Sequence, residues 1–250
     1  MYMRLVRVTV KPGDRELMRH HYNSSVIPLL QKTDGCLFAG LIRRELNADE
    51  YISLTLWDNR EHAEEYVRSG KFEALMKEAS IYLVESSEWR IHLSDDQQLV
   101  YDPVPEQPKV EEFQIGSGPE RLGVPAGDTV FIRIVSLQIQ GDMADQFKHL
   151  YQGEILPRLR EAEGCRFAGL SEQIGGDHRF LSISVWDSRE FAERYERSGL
   201  FDALLDKVKH TFSDVYQWKM QLEKVVGSQV VTSEEIAVDG YVVESGKQFF

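Results

Sequence analysis

The chain has 250 residues, 42% of them apolar and 28% charged, which suits a folded globular protein and argues against disorder or a collagen-like chain. Forty-one acidic against 29 basic side chains leave a net charge of −12, a balance that disfavours non-specific binding to nucleic acid or an anionic membrane. No apolar run approaches the roughly 20 residues that span a bilayer. Arg4 and Arg7 interrupt the place of a signal-peptide core. Two cysteines supply neither a disulfide framework nor a closed zinc site, so a cytoplasmic protein without a metal is expected.

From Arg4 to Val10 the chain alternates, with Val6, Val8 and Val10 on one side and Leu5, Arg7 and Thr9 on the other, which predicts a strand. Met18, Tyr22, Val26 and Leu30 then mark one face of an amphipathic helix over 14–31, with Pro28 placed to kink or end its last turn. Residues 36–44 and 51–57 read as two strands joined by the turn Asn47-Ala48-Asp49. Asp58, with Glu61 three positions on, predicts an N-cap and its acidic partner. The second helix is interrupted at Ser69-Gly70 and resumes through Phe72, Leu75 and Met76. Trp89, Ile91 and Leu93 alternate with Arg90 and His92 in a last strand. Residues 95–128, rich in Pro, Gly and Glu, read as an extended linker.

The pattern then returns. Gly35-Cys36-Leu37-Phe38-Ala39-Gly40-Leu41 recurs as Gly164-Cys165-Arg166-Phe167-Ala168-Gly169-Leu170, and Trp57-Asp58 as Trp186-Asp187, both at an offset of 129. Without a gap the same offset pairs Pro28 with Pro157, Tyr66 with Tyr195 and Trp89 with Trp218. The predicted division is one repeat over 1–94, the linker 95–128, a second repeat over 129–224 and a tail over 225–250. Residues 229–232 and 240–243 of the tail are β-rich, and both edge strands and loose arms stay open for them.

Each repeat has the order βαββαβ of a ferredoxin-like unit, so the fold class is α+β. Ile52, Leu54 and Leu56 form an aliphatic face suited to lie under the helices. The opposite face carries Tyr51, Ser53, Thr55 and Trp57, or Phe180, Ser182, Ser184 and Trp186. Two isolated sheets would leave those rings exposed. Packing the repeats sheet to sheet as an intramolecular pseudo-dimeric α/β barrel would cover them, with further self-association of this monomer left open.

These motifs, together with Leu54-Thr55-Leu56-Trp57-Asp58 and the helix bearing Tyr66, Ser69 and Phe72, resemble the antibiotic biosynthesis monooxygenase domain of the dimeric α/β barrel superfamily. The resemblance covers both repeats but neither linker nor tail. It implies a cofactor-independent monooxygenase, an oxidoreductase acting with dioxygen on a small aromatic or quinol-like molecule. The alternative is a non-catalytic, small-molecule-binding or stress-associated barrel. Haem-degrading relatives use an Asn, a Trp and a His at places held here by Val6 or Val135, Tyr66 or Tyr195, and Met76 or Leu205, so that chemistry is not implied.

Tyr66 and Tyr195 hold the place of the family's helix aromatic, where a phenol can hydrogen-bond a substrate oxygen, against a plain packing role. Arg4 and Arg133 share the parity of Val6 and Val135, which puts each guanidinium at a helix-side cavity where it can hold an anion or reach a surface carboxylate. These four are the catalytic candidates. Val6, Phe72, Met76, Val135, Phe201 and Leu205 are the candidate lining. His20 and His149 occur in both copies but lie off the apolar stripe, facing solvent. Tyr22 and Tyr151 are assigned to the core, Trp57 and Trp186 to plugs at the barrel end, and Cys36 and Cys165 to small buried hydrophobes. His21/Leu150, Met18/Phe147 and Lys71/Leu200 differ between the copies, so the two pockets need not be equivalent. No phosphate-binding loop or nucleophile elbow occurs, and no flavin, nicotinamide or other cofactor is implied.

Overall fold

The helical stripe repeats every four residues, but an α-helix turns by about 100° per residue, so such a stripe drifts by about 40° at each step. The chain corrects the drift with a π-helical turn. In the computed structural model, which describes residues 1–93, 99–105, 108–117, 130–175, 178–212 and 236–249, the first copy opens with β1 (Tyr2–Thr9) and α1 (Arg15–His21). The π turn (Tyr22–Val26) and α2 (Ile27–Gln31) continue the same helix. Pro28 follows directly on the π turn, where the helical hydrogen-bond ladder is already irregular, and the chain stays helical to Gln31. Met18, Tyr22, Val26 and Leu30 are all buried. Then come β2 (Cys36–Arg44), β3 (Glu50–Trp57), α3 (Arg60–Arg68) and α4 (Lys71–Ala79). Three further strands follow, β4 (Glu85–Leu93), β5 (Leu99–Pro105) and β6 (Lys109–Ser117).

The second copy repeats the plan with β7 (Phe131–Gln138), α5 (Ala144–Leu150), a π turn (Tyr151–Ile155) and α6 (Leu156–Glu161). It continues through β8 (Cys165–Gln173), β9 (Arg179–Trp186), α7 (Arg189–Arg197) and α8 (Leu200–Val208) to β10 (Ile236–Gln248). Eight antiparallel strands close a barrel in the order β1-β3-β2-β10-β7-β9-β8-β6. The α+β, pseudo-dimeric barrel within one chain is therefore the fold. Its fourth strands differ from the expectation. The strand at Trp89 forms, but pairs with β5 in a separate two-stranded sheet, and Trp218 lies outside the described residues.

The fourth strands come instead from the stretches read as linker and tail. β6 joins β1 of its own copy to β8 of the other, and β10 joins β7 to β2. Glu111 explains why β6 escapes a hydrophobicity reading, since it puts a carboxylate where alternation requires an apolar residue. It is buried between Arg7, Lys109 and Arg179, with Arg7 Nε donating at 2.6 Å and Arg179 Nη1 at 3.0 Å. Burial raises its pKa, but the Arg7 hydrogen bond and the three cations outweigh that and hold the carboxyl below the usual carboxylate range.

The faces of the third strand are also exchanged. Ile52, Leu54 and Leu56 point into the barrel with Met3, Leu5, Ile132, Ile134, Leu181, Ile183 and Val185, a cluster to which no helix contributes. Branched aliphatic side chains fill the interior of a closed eight-stranded barrel, and that requirement decides the direction. The hydroxyl face lies under the helices. There Tyr22 and Ser53 hydroxyls meet at 2.9 Å, Tyr151 and Ser182 at 2.8 Å, and the indoles of Trp57 and Trp186 donate to Thr55 and Ser184. Both tryptophans thus belong to the helix-side cores rather than to plugs at the barrel end. The cap of α3 is Asn59, whose side chain accepts from the His62 N–H, while Asp58 accepts from the His62 ring at 2.7 Å.

Candidate functional site

Period-two alternation sends Arg4 on β1 and Arg133 on β7 away from the barrel interior, beneath the α3–α4 and α7–α8 pairs. Both are about 95% buried. Each guanidinium carbon lies 4.3 Å over a phenylalanine ring, Phe72 or Phe201, a cation–π contact that partly replaces lost water. The buried rings of Tyr66 and Tyr195 complete the constellation. They stand 5.2 Å from Trp57 and Trp186, and 6.1 and 6.3 Å from Phe72 and Phe201.

In the second copy, the five candidates Arg133, Val135, Tyr195, Phe201 and Leu205 line one cavity of about 40 Å³ with Tyr151 and Ser182. It is small, with space for a few water-sized groups. In the first copy, Tyr66, Phe72 and Met76 pack into the equivalent helix-side core, and Val6 is buried on β1. Both phenols are held protonated. Burial pushes Tyr195 up to about 12 against the pull of Arg133, and pushes Tyr66 well above the ordinary tyrosine range against that of Arg4. Each is a hydrogen-bond donor at neutral pH rather than a base.

The remaining candidates fall outside this geometry. His20 and His149 are exposed. Burial raises Cys36 to about 12 and Cys165 to about 11, so neither is a thiolate nucleophile at neutral pH. Among the described residues no three His, Cys, Asp or Glu side chains converge as a metal site, and no helix is long and apolar enough to cross a membrane. A wider cleft of about 200 Å³ opens at the barrel mouth beside Arg7, Tyr51, Lys109 and Tyr241. Its cations, Arg7 and Lys109, are already engaged by Glu111.

The antibiotic biosynthesis monooxygenase profile matches residues 1–78 and 130–207, the two copies at the same offset of 129. The chain belongs to that family. No curated protein matches it in sequence. Among solved structures, a candidate monooxygenase of Lactobacillus acidophilus NCFM aligns at 9% identity and TM-score 0.66, covering 99% of this chain and 95% of that one. A candidate monooxygenase of Fusobacterium nucleatum aligns at 9% identity and TM-score 0.68, covering 99% and 94%. A protein described as anthrone oxidase-like aligns at 12% and 0.57, covering 99% and 92%. At these identities the likeness is one of fold.

Within this monooxygenase-family chain the two sites differ in charge balance. Arg133 Nε donates to Glu196 on α7 at 2.6 Å. The first copy has Val67 at that place, and Arg4 Nε and Nη1 have no hydrogen-bond partner. Glu112, opposite Arg4 across β1–β6, acts on it only at longer range, and Gly240 faces Arg133 from β10. Glu196 and the serines under the tyrosines are the site residues that motif reading misses. Val67 against Glu196 in the aligned repeats was the available signal for the first.

Proposed function

We propose that this chain is a cofactor-independent monooxygenase of small planar aromatic or quinol-like molecules, working in the helix-side pockets of the barrel. The observation that carries this reading is the constellation of buried Arg, protonated Tyr and stacked Phe, present in both copies. A phenolic or enolic substrate bound there would ionise more readily beside a buried guanidinium, and a tyrosine O–H would donate to the developing oxyanion. The ionised substrate gives one electron to dioxygen. Recombination forms a carbon–hydroperoxide bond, and loss of water leaves a carbonyl. The sum converts a CH2 group and O2 into C=O and H2O, with the substrate as the only reductant.

The Ser198-Gly199 break leads into the helix whose Phe201 and Leu205 line the second copy's cavity, and Ser69-Gly70 holds the equivalent place in the first; these are where each copy would open to admit a ring. Dithranol, an anthrone, is a suitable first probe because a neighbour of the same fold is described as anthrone oxidase-like. Oxygen uptake with quinone formation is the expected result. Replacing both Tyr66 and Tyr195 by Phe should lower turnover at least tenfold, and unchanged turnover would remove the phenols from proton handling. The second reading, a non-catalytic binding barrel, is favoured by the lack of an ionised base inside the described cavity. Saturable binding of the probe without oxygen uptake would select it.

A further inference from the structure

The repeat offers an internal comparison. At one of two equivalent positions the Nε of a buried arginine has a carboxylate partner, leaving only Nη2 of Arg133 unpaired, and at the other both Nε and Nη1 of Arg4 have none. Arg133 shows where a carboxylate fits, because Glu196 reaches in from α7 and accepts from its Nε. On the first copy Val67 is too short and apolar to do the same, and it is 37% exposed on α3. Arg4 is nevertheless just as buried, with the same Nε and also Nη1 unsatisfied above the Phe72 ring. A buried charge left in this way is costly unless something supplies the missing acceptor.

We propose that the two helix-side sites are unequal: the first takes the negative group of an anionic aromatic ligand at Arg4, and Glu196 fills the corresponding place in the second. This rests on the reading that the helix-side pockets receive the substrate, and for the first copy it narrows the class to aromatic carboxylates and ready phenolates. The first copy is then the anion-selective site. The second, with the Nε of Arg133 already paired to Glu196, disfavours an anion.

The test uses the full chain labelled with 15N-arginine, following the Arg Nε–H resonances during titration with benzoate or its neutral isostere benzamide. The Arg4 resonance is assigned by its loss in Arg4→Lys. Benzoate should shift it saturably, at least tenfold more tightly than benzamide, without shifting that of Arg133. Val67→Glu, which supplies the missing carboxylate, should weaken benzoate at least tenfold. Glu196→Gln should open a second benzoate site at Arg133, with Glu196→Val as the variant to use if the first retains the contact. Glu112→Gln should change benzoate affinity less than threefold, whereas a tenfold gain would make Glu112 the internal occupant and overturn the proposal. Benzoate shifting Arg133 in the unaltered chain would overturn it too. Equal binding of benzamide and benzoate would overturn the anion preference while leaving the pockets as ligand sites. Binding of neither probe at these resonances would overturn both.

Discussion

Cys36 and Cys165 sit at the same place in the two copies, yet Cys36 is buried and Cys165 is half-buried. Each thiol donates weakly to a carbonyl two residues on, Phe38 or Phe167, and burial disfavours its thiolate. Labelling of the native protein with a thiol reagent at pH 8 should therefore be slow, with Cys165 reacting before Cys36 and both reacting at once after unfolding. Fast native labelling of Cys36 would show that the helix-side core opens readily. The candidate arginines were legible from strand parity and the repeat, and the tyrosines from the place that the family resemblance gives its helix aromatic. Glu196 was not, since a half-exposed glutamate on a charged helix face looks like every other solvated carboxylate.

The break between α3 and α4 is made by one residue. Gly70 has a φ of +76°, as does Gly199 between α7 and α8, and no atom lies within 4 Å of where a Cβ would stand. The cost of alanine at either position is conformational, about 1–2 kcal/mol. In a chain of this size each should lower the melting temperature by roughly 2–8 °C, since 1 kcal/mol corresponds to about 2–4 °C. No change in a calorimetric scan would mean that the break is not held in this geometry in solution. Gly35 and Gly164 are more constrained, because a Cβ there would stand 2.1 Å from the His62 ring or 2.4 Å from Phe191. For the strands, alternation gave the two faces of β3 but not which one looks inward. A strand clad by helices outside and closed into a barrel inside is buried on both sides, so period two carries no direction. The strand β6 stayed hidden because Glu111 breaks the apolar pattern of an inward face that it shares with Phe113 and Ile115.

At the scale of the molecule, Glu111 ties β6 of the first copy to Arg7 on β1 and to Arg179 on β9, and so holds the barrel together where the copies meet. Its folded pKa is depressed, so the stability it contributes is present above the unfolded carboxylate value and is lost as pH falls through the folded one. Denaturant unfolding followed from pH 6 down to pH 3 should show this loss, and Glu111→Gln should be less stable at pH 6 with a flatter acid dependence. A variant whose dependence matches that of the unaltered chain would remove Glu111 from the acid response.

The position of β10 has a consequence for the order in which the barrel is made. The first sheet, β6-β1-β3-β2, has all its strands once residue 117 has been synthesised. On one side its edge waits only for β8, but on the other the edge of β2 stays open until residues 236–248 emerge, more than a hundred residues later. Throughout that interval the nascent chain carries an unpaired strand edge, the kind of surface that recruits a stray strand. Closure is then a single late event in which β10 seats against β2 and β7 together, and the first copy is sealed by the last strand of the second.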